Sequence, residues 1–121
     1  MATLSVKATA VLGAAMLVSA AGAQAPASVS QGNYECWAHG RARPLMNFKF
    51  TGSDRYSDPD GKQRGTFTYN AATGAITFKG GHLDGVMPTG FTSVYHEKNK
   101  KPTVSFRGQS GEAQFCEKVA R

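Results

Sequence analysis

The chain has 121 residues, a formal net charge of +6 and a sequence pI near 9.6, with 40% hydrophobic and 10% aromatic residues. That length is enough for one domain with one core. Two cysteines are too few for a disulfide-dense scaffold, and the basic balance permits contact with acidic polymers or lipid headgroups.

The opening residues read as an address rather than as part of the fold. Lys7 is the only early charge, Ala8 to Val18 is a short apolar run, and small residues follow at Ala21-Gly22-Ala23. The run is about half of the ~20 residues a membrane span needs. A cut after Ala25 would leave Pro26 as the new N-terminus, which a signal peptidase disfavours, so the cut is placed before Gln24 and residues 1–23 are expected to be a signal peptide. No cysteine near the cut offers a lipid-anchor site. The remaining 98 residues lose Lys7 and carry +5. Residues 24–32, rich in Ala, Ser and Pro, read as a flexible leader, and 33–121 as a single β domain.

Asn33 to Ala38 is the first expected strand, with Tyr34 and Cys36 on one face and Trp37 on the other. Gly40 to Pro44 is a basic turn carrying Arg41 and Arg43. Leu45 to Thr51 alternates as a second strand, with Met46, Phe48 and Phe50 together, and Arg55-Tyr-Ser57 is a short third. Asp58-Pro-Asp-Gly61 is a turn by residue chemistry, since proline presets one φ angle and glycine accepts a positive one.

The clearest pattern lies between Gly65 and Gly81. Phe67 and Tyr69 alternate with threonines, a polar turn follows, and Ile76 and Phe78 alternate with threonine and lysine. A four-residue connection, Ala71 to Gly74, sets Tyr69 opposite Ile76 and Phe67 opposite Phe78 on one face. An odd connection without a bulge would turn one apolar set to water, so the pattern selects an even one.

Gly80 to Gly90 holds four glycines and Pro88 and reads as a loop, with His82-Leu-Asp84 a candidate strand extension. Phe91 to Glu97 is a sixth strand, Lys98 to Pro102 a turn, and Thr103 to Arg107 a seventh strand, inward at Val104 and Phe106. Gly108 to Gly111 turns again. Glu112 to Lys118 is an eighth strand, for which a short C-terminal helix is the alternative.

About eight short strands without a helical crossover make an all-β, antiparallel up-and-down meander. In an oxidising compartment the lone pair Cys36 and Cys116 is most simply a disulfide, because a redox or metal pair needs closer spacing such as Cys-x-x-Cys. Joining first and last strands requires Cα atoms within about 7 Å, so the sheet must close into a barrel or tight sandwich. Twelve aromatics, with Met46, Ile76 and Val104, could fill its interior. The chain is expected to be monomeric, with no transmembrane segment after the cut.

An up-and-down order puts alternate turns at the same end. One end gathers Arg41, Arg43, Lys62, Arg64 and His82 with the one long loop, which makes it the candidate binding end. Catalytic templates do not fit. Gly108-Gln-Ser-Gly111 lacks the Gly-x-Ser-x-Gly spacing, and His39, His82 and His96 lie on separate segments without ligand-spaced neighbours. Asp58-Pro-Asp-Gly61 is no EF-hand, because Tyr56 holds the first ligand position and Phe67 the last. The aromatics alternate inward, away from the basic outer face that single-stranded nucleic acid needs. No enzyme, cofactor, metal or specific nucleic acid is therefore expected.

Tyr34-Glu-Cys36, Arg55-Tyr-Ser-Asp58, Gly65-Thr-Phe-Thr-Tyr69, Ile76-Thr-Phe-Lys-Gly-Gly81 and the late Cys116 form a cadence that resembles small exported bacterial β-proteins of uncharacterised function. The Tyr-x-Cys opening and terminal cysteine are also similar to the periplasmic C-type lysozyme inhibitors, which are small eight-stranded barrels. Their inhibitory Ser-Gly-x-x-Tyr motif is matched only by Gly52-Ser53-Asp-Arg-Tyr56, with the first two residues reversed. These resemblances imply a bacterial periplasmic or extracellular location. The functional expectation is a non-enzymatic binding or envelope-associated module whose partner is an anionic polymer, an envelope component or a secreted protein. A proteinaceous inhibitor of a secreted hydrolase is the alternative, and a carrier of a small apolar ligand the third reading.

Overall fold

A computed structural model describes residues 25–120, so the expected signal peptide lies outside the described residues. Strands run at β1 (Gly32–Ala38), β2 (Arg41–Ala42), β3 (Phe48–Phe50), β4 (Arg55–Ser57), β5 (Arg64–Asn70), β6 (Ala75–Gly80), β7 (Thr92–Lys98), β8 (Lys101–Gly108) and β9 (Gly111–Lys118). They form one antiparallel sheet in the order β2-β1-β3-β4-β5-β6-β7-β8-β9, and β9 also pairs with β1. Strands β2 and β3 share one edge of β1, β2 against Trp37–Ala38 and β3 against Gly32–Tyr34. The closed ring thus has eight staves, with β2 as an extra strand on its rim.

Closure comes through the β1–β9 ladder, where Cys36 stands directly opposite Cys116 and the two are disulfide-bonded. The bond staples strands that backbone hydrogen bonds already join, across 80 residues of sequence. The central hairpin has the expected register, with Phe67 opposite Phe78, Tyr69 opposite Ile76 and Ala71 to Gly74 as the four-residue connection. The Asn70 carbonyl accepts the Thr73 and Gly74 amides, and its side chain accepts that of Ala72, so one asparagine organises the turn.

Three segments differ from the sequence reading, besides the expected basic turn in which β2 forms, and the expected last strand is kept. The expected strand from Leu45 to Thr51 begins only at Phe48. Before it, Pro44–Met46 is a 3-10 turn opened by the fixed φ of proline, and the Asn47 side chain takes the Cys36 amide in place of a strand neighbour. The His82-Leu-Asp84 segment is a turn, because glycines with positive φ at 80, 81 and 85 break the extended path. Strand β8 starts two residues early, since the turn before it shrinks to Asn99-Lys100 with φ 53° and 65°, the left-handed geometry of two-residue hairpins. The C-terminal segment is strand through Lys118, held by pairing with both β8 and β1, so the helical alternative does not occur.

The interior is aromatic. Tyr34, Phe48, Phe50, Tyr56, Phe67, Phe78, Tyr95 and Phe106 are all buried, with Tyr69 and Phe91 packed at their margin. Their rings meet stacked or edge-on, as for Tyr34 on Phe48 at 5.2 Å and Tyr56 against Phe78 at 4.9 Å. Trp37 and Phe115 are the exceptions to an inward set of twelve, lying opposite each other outside the β1–β9 ladder. Tyr56 packs where a side chain at Gly65 or Gly81 would sit, since a Cβ at either would come within 2.6 Å of it.

Residues before β1, expected as a flexible leader, contact the barrel. Tyr69 donates to the Pro26 carbonyl, Tyr34 to the Ser30 carbonyl at 2.6 Å, and the Ser30 amide donates to the Tyr95 hydroxyl at 2.7 Å. Val29 packs against the core. This segment closes the end of the barrel from which β1 starts.

Candidate functional site

The pairings place the ends of β1, β4, β6 and β8 beside the starts of β3, β5, β7 and β9. Arg41 and Arg43, the Asp58–Arg64 turn, the loop from Gly81 to Phe91 and the Gln109-Ser110 turn therefore share one end, opposite the N-terminal plug. Arg41, Arg43, Lys62 and Arg64 are all exposed there, and none is in an ion pair among the described residues.

The acids of that end are engaged differently. Asp58 accepts the backbone amides of Lys62 and Gln63, and such bonds, that to Gln63 foremost, hold its carboxyl below the usual value. Asp84 accepts the Gly80 amide at 2.7 Å. These two carboxylates serve as turn braces and Asp60 is exposed, while Arg64 directs its Nε to the Gly61 carbonyl and Lys62 leaves its ammonium in solvent.

His82 plays another part. Its half-buried ring sits 5.9 Å from Tyr56, and Nε2 lies 2.9 Å from the Asn47 carbonyl, to which it donates. Nδ1 is buried without a partner. His82 therefore pins the long loop to the start of β3 instead of joining the exposed cations. Tyr56 pins it again, donating to the Gly80 carbonyl and accepting the Leu83 amide at 3.0 Å, so Leu83 is held in the core. Tyr56 ends the stretch compared with the inhibitory motif, and it is 1% exposed.

Beyond Leu83 the loop borders several clefts, two of them lined by both Met87 and Phe91. Strands β6 and β7 pair only at Ala75 and Val94, extended by the Tyr95 amide donating to the Gly74 carbonyl, and then diverge. A cleft of about 290 Å³ opens along that seam between Phe78, Met87, Phe91 and Phe106. A second, of about 340 Å³, lies across the loop, between His39 and Arg43 on one side and Val86–Pro88 on the other. Its remaining walls are Ala38, Met46, Phe91 and the side of β9 at Ala113 and Gln114. Gln114 escaped the sequence reading, although it shares the parity of Cys116 and so had to point inward.

The three outer strands assemble a polar chain that the sequence reading also missed. His96 Nε2 lies 2.7 Å from Ser105 Oγ, and Ser105 donates to Glu112, which also accepts from Lys98 at 3.0 Å. The single hydroxyl proton goes to the carboxylate, so Nε2 carries its own proton and donates. That direction is opposite to the one a nucleophilic serine needs from its base. Burial, then the charge of Arg107, pushes the His96 pKa below its ordinary value. Burial would raise the Glu112 carboxyl, but bonds from Ser105 and Lys98 hold it low. Lys98 also covers the Phe115 ring at 4.1 Å, which completes a fixed outer patch.

Among the described residues no three metal-ligating side chains come together, and no helix is long and apolar enough to cross a membrane. No protein-family model, curated protein or solved structure matches the chain.

Proposed function

We propose that the protein is an exported, non-enzymatic binding module whose basic end engages an anionic partner in the cell envelope or its surroundings. One observation carries this reading: four exposed cations without carboxylate partners stand at the end that owns the long loop, while of its acids Asp58 and Asp84 are bound to backbone amides and Asp60 alone is left exposed without such a bond. Exposed unpaired cations on rigid turns attract an anion at little reorganisation cost, and the attraction steers encounter as well as holding the complex. The opposite end is closed by residues 26–30, which leaves this one as the end with the long loop.

The test is retention on immobilised heparin, used as a generic polyanion. Arg41, Arg43 and Lys62 changed together to Glu should elute at much lower salt than the unmodified protein. Arg55, Lys100 and Lys101 changed to Glu alter net charge equally at the other end and should elute later than the first variant. Equal loss in both would reduce the effect to net charge and remove the proposal.

A further inference from the structure

We infer that the cleft between the His39-Gly40 turn and the Val86–Pro88 loop binds a medium-chain aliphatic carboxylate, its head between Arg43 and Gln114 and its chain between Met46, Met87 and Phe91. The assignment rests on the basic-end reading and narrows it to one ligand chemistry. Two independent observations meet in this cleft. Arg43 stands at its wall as a cation without an ion pair. Gln114, only 8% exposed, lines the same cleft, and its Nε2 is buried without a hydrogen-bond partner. A buried amide donor without a partner destabilises the fold, and an acceptor in the cleft would relieve it once the Gln114 side chain turns its amide toward the opening.

The lining chooses among anions. Met46, Val86, Met87, Pro88 and Phe91 present an apolar surface, and methionine adapts to flexible chains. A bare phosphate or sulfate would leave that surface unused. A peptide would bring several backbone amides and carbonyls into a cleft that offers them a single buried unpaired donor, Gln114 Nε2. One cation, one amide donor and an apolar trough fit one carboxylate with an unbranched tail. The cleft, of about 340 Å³, has room for a ligand the size of octanoate.

The experiment titrates the ¹⁵N-labelled protein with octanoate and, separately, with octanol. Octanoate should shift the Gln114 side-chain amide and the backbone of residues 39–46 and 86–91, with octanol at least about tenfold weaker because it lacks the charge-assisted bond. Arg43→Ala and Gln114→Leu should each weaken octanoate about tenfold, and Arg55→Ala should not change it. Gln114→Leu should melt no lower than the unmodified protein; if it unfolds, the wild-type Gln114 amide shift and Arg43→Ala decide. No shift with octanoate, or equal binding of octanol, overturns the inference. If octanoate fails while heparin retention still depends on the Arg41, Arg43 and Lys62 cations, the cleft assignment falls and the basic-end reading stands. If both fail, both fall.

Discussion

Tyr56 concentrates the logic of the long loop in one side chain. Its hydroxyl donates to the Gly80 carbonyl and accepts the Leu83 amide, and its ring lies across Gly65 and Gly81. Tyr56→Phe keeps the ring and leaves the buried Leu83 amide without its acceptor, which costs about 1–3 kcal/mol, while the Gly80 carbonyl is exposed and turns to water. Urea denaturation should show that loss, and amide exchange should quicken at Leu83; an unchanged midpoint would mean that the loop is held by packing alone. His96 gives the second residue-scale prediction. Its folded pKa lies below the ordinary 6.5, with Arg107, Lys98 and Glu112 the charged groups facing it, so the unfolded chain takes up a proton first as pH falls. Stability is therefore full above that value and declines as pH drops toward the folded pKa. Glu112, held below 4.5, adds a further loss at more acid pH, with the same sign. His96→Gln should flatten stability between neutral pH and about pH 5 and leave the acid-limb loss in place. A melting profile with an unaltered slope in the upper window would assign the acid sensitivity elsewhere.

At the scale of elements, the β1–β9 seam is double and the β6–β7 seam is thin. Register and disulfide coincide at Cys36 and Cys116, so the bond constrains the unfolded chain more than it shapes the fold. Changing both cysteines to alanine should keep the β spectrum and cost about 4 kcal/mol by the loop-closure argument, read from urea midpoints under oxidising conditions. A variant as stable as the parent would place the closing energy wholly in the strand ladder. The elements also show which parts of the fold could be read in advance. The hairpin from Gly65 to Gly81 was legible because period-two alternation and an even turn admit one register. Strand β3 was mistaken for a longer one because Met46 keeps the alternation of Phe48 and Phe50 while Pro44 and Asn47 redirect the backbone. His96, Ser105 and Glu112 escaped because they lie on three strands and meet only through cross-strand register. The exposed cations were legible as an end, since turn order follows from a meander, but the inward role of His82 was not. Its partner, Asn47, is 35 residues away.

Taken whole, the molecule is a closed eight-stave barrel with unlike ends. One is plugged by residues 26–30 through the hydroxyls of Tyr34, Tyr69 and Tyr95. The other carries the unpaired arginines, the glycine-rich loop and the cleft with Gln114. A filled aromatic interior lies between them. The most direct measurement is amide chemical-shift mapping of the protein during titration with a soluble heparin fragment. The proposal predicts shifts confined to residues 39–46, 58–64 and 82–91, diminishing with added salt. Shifts centred on residues 52–54, 70–74 and 98–101 would place the contact at the plugged end and contradict it.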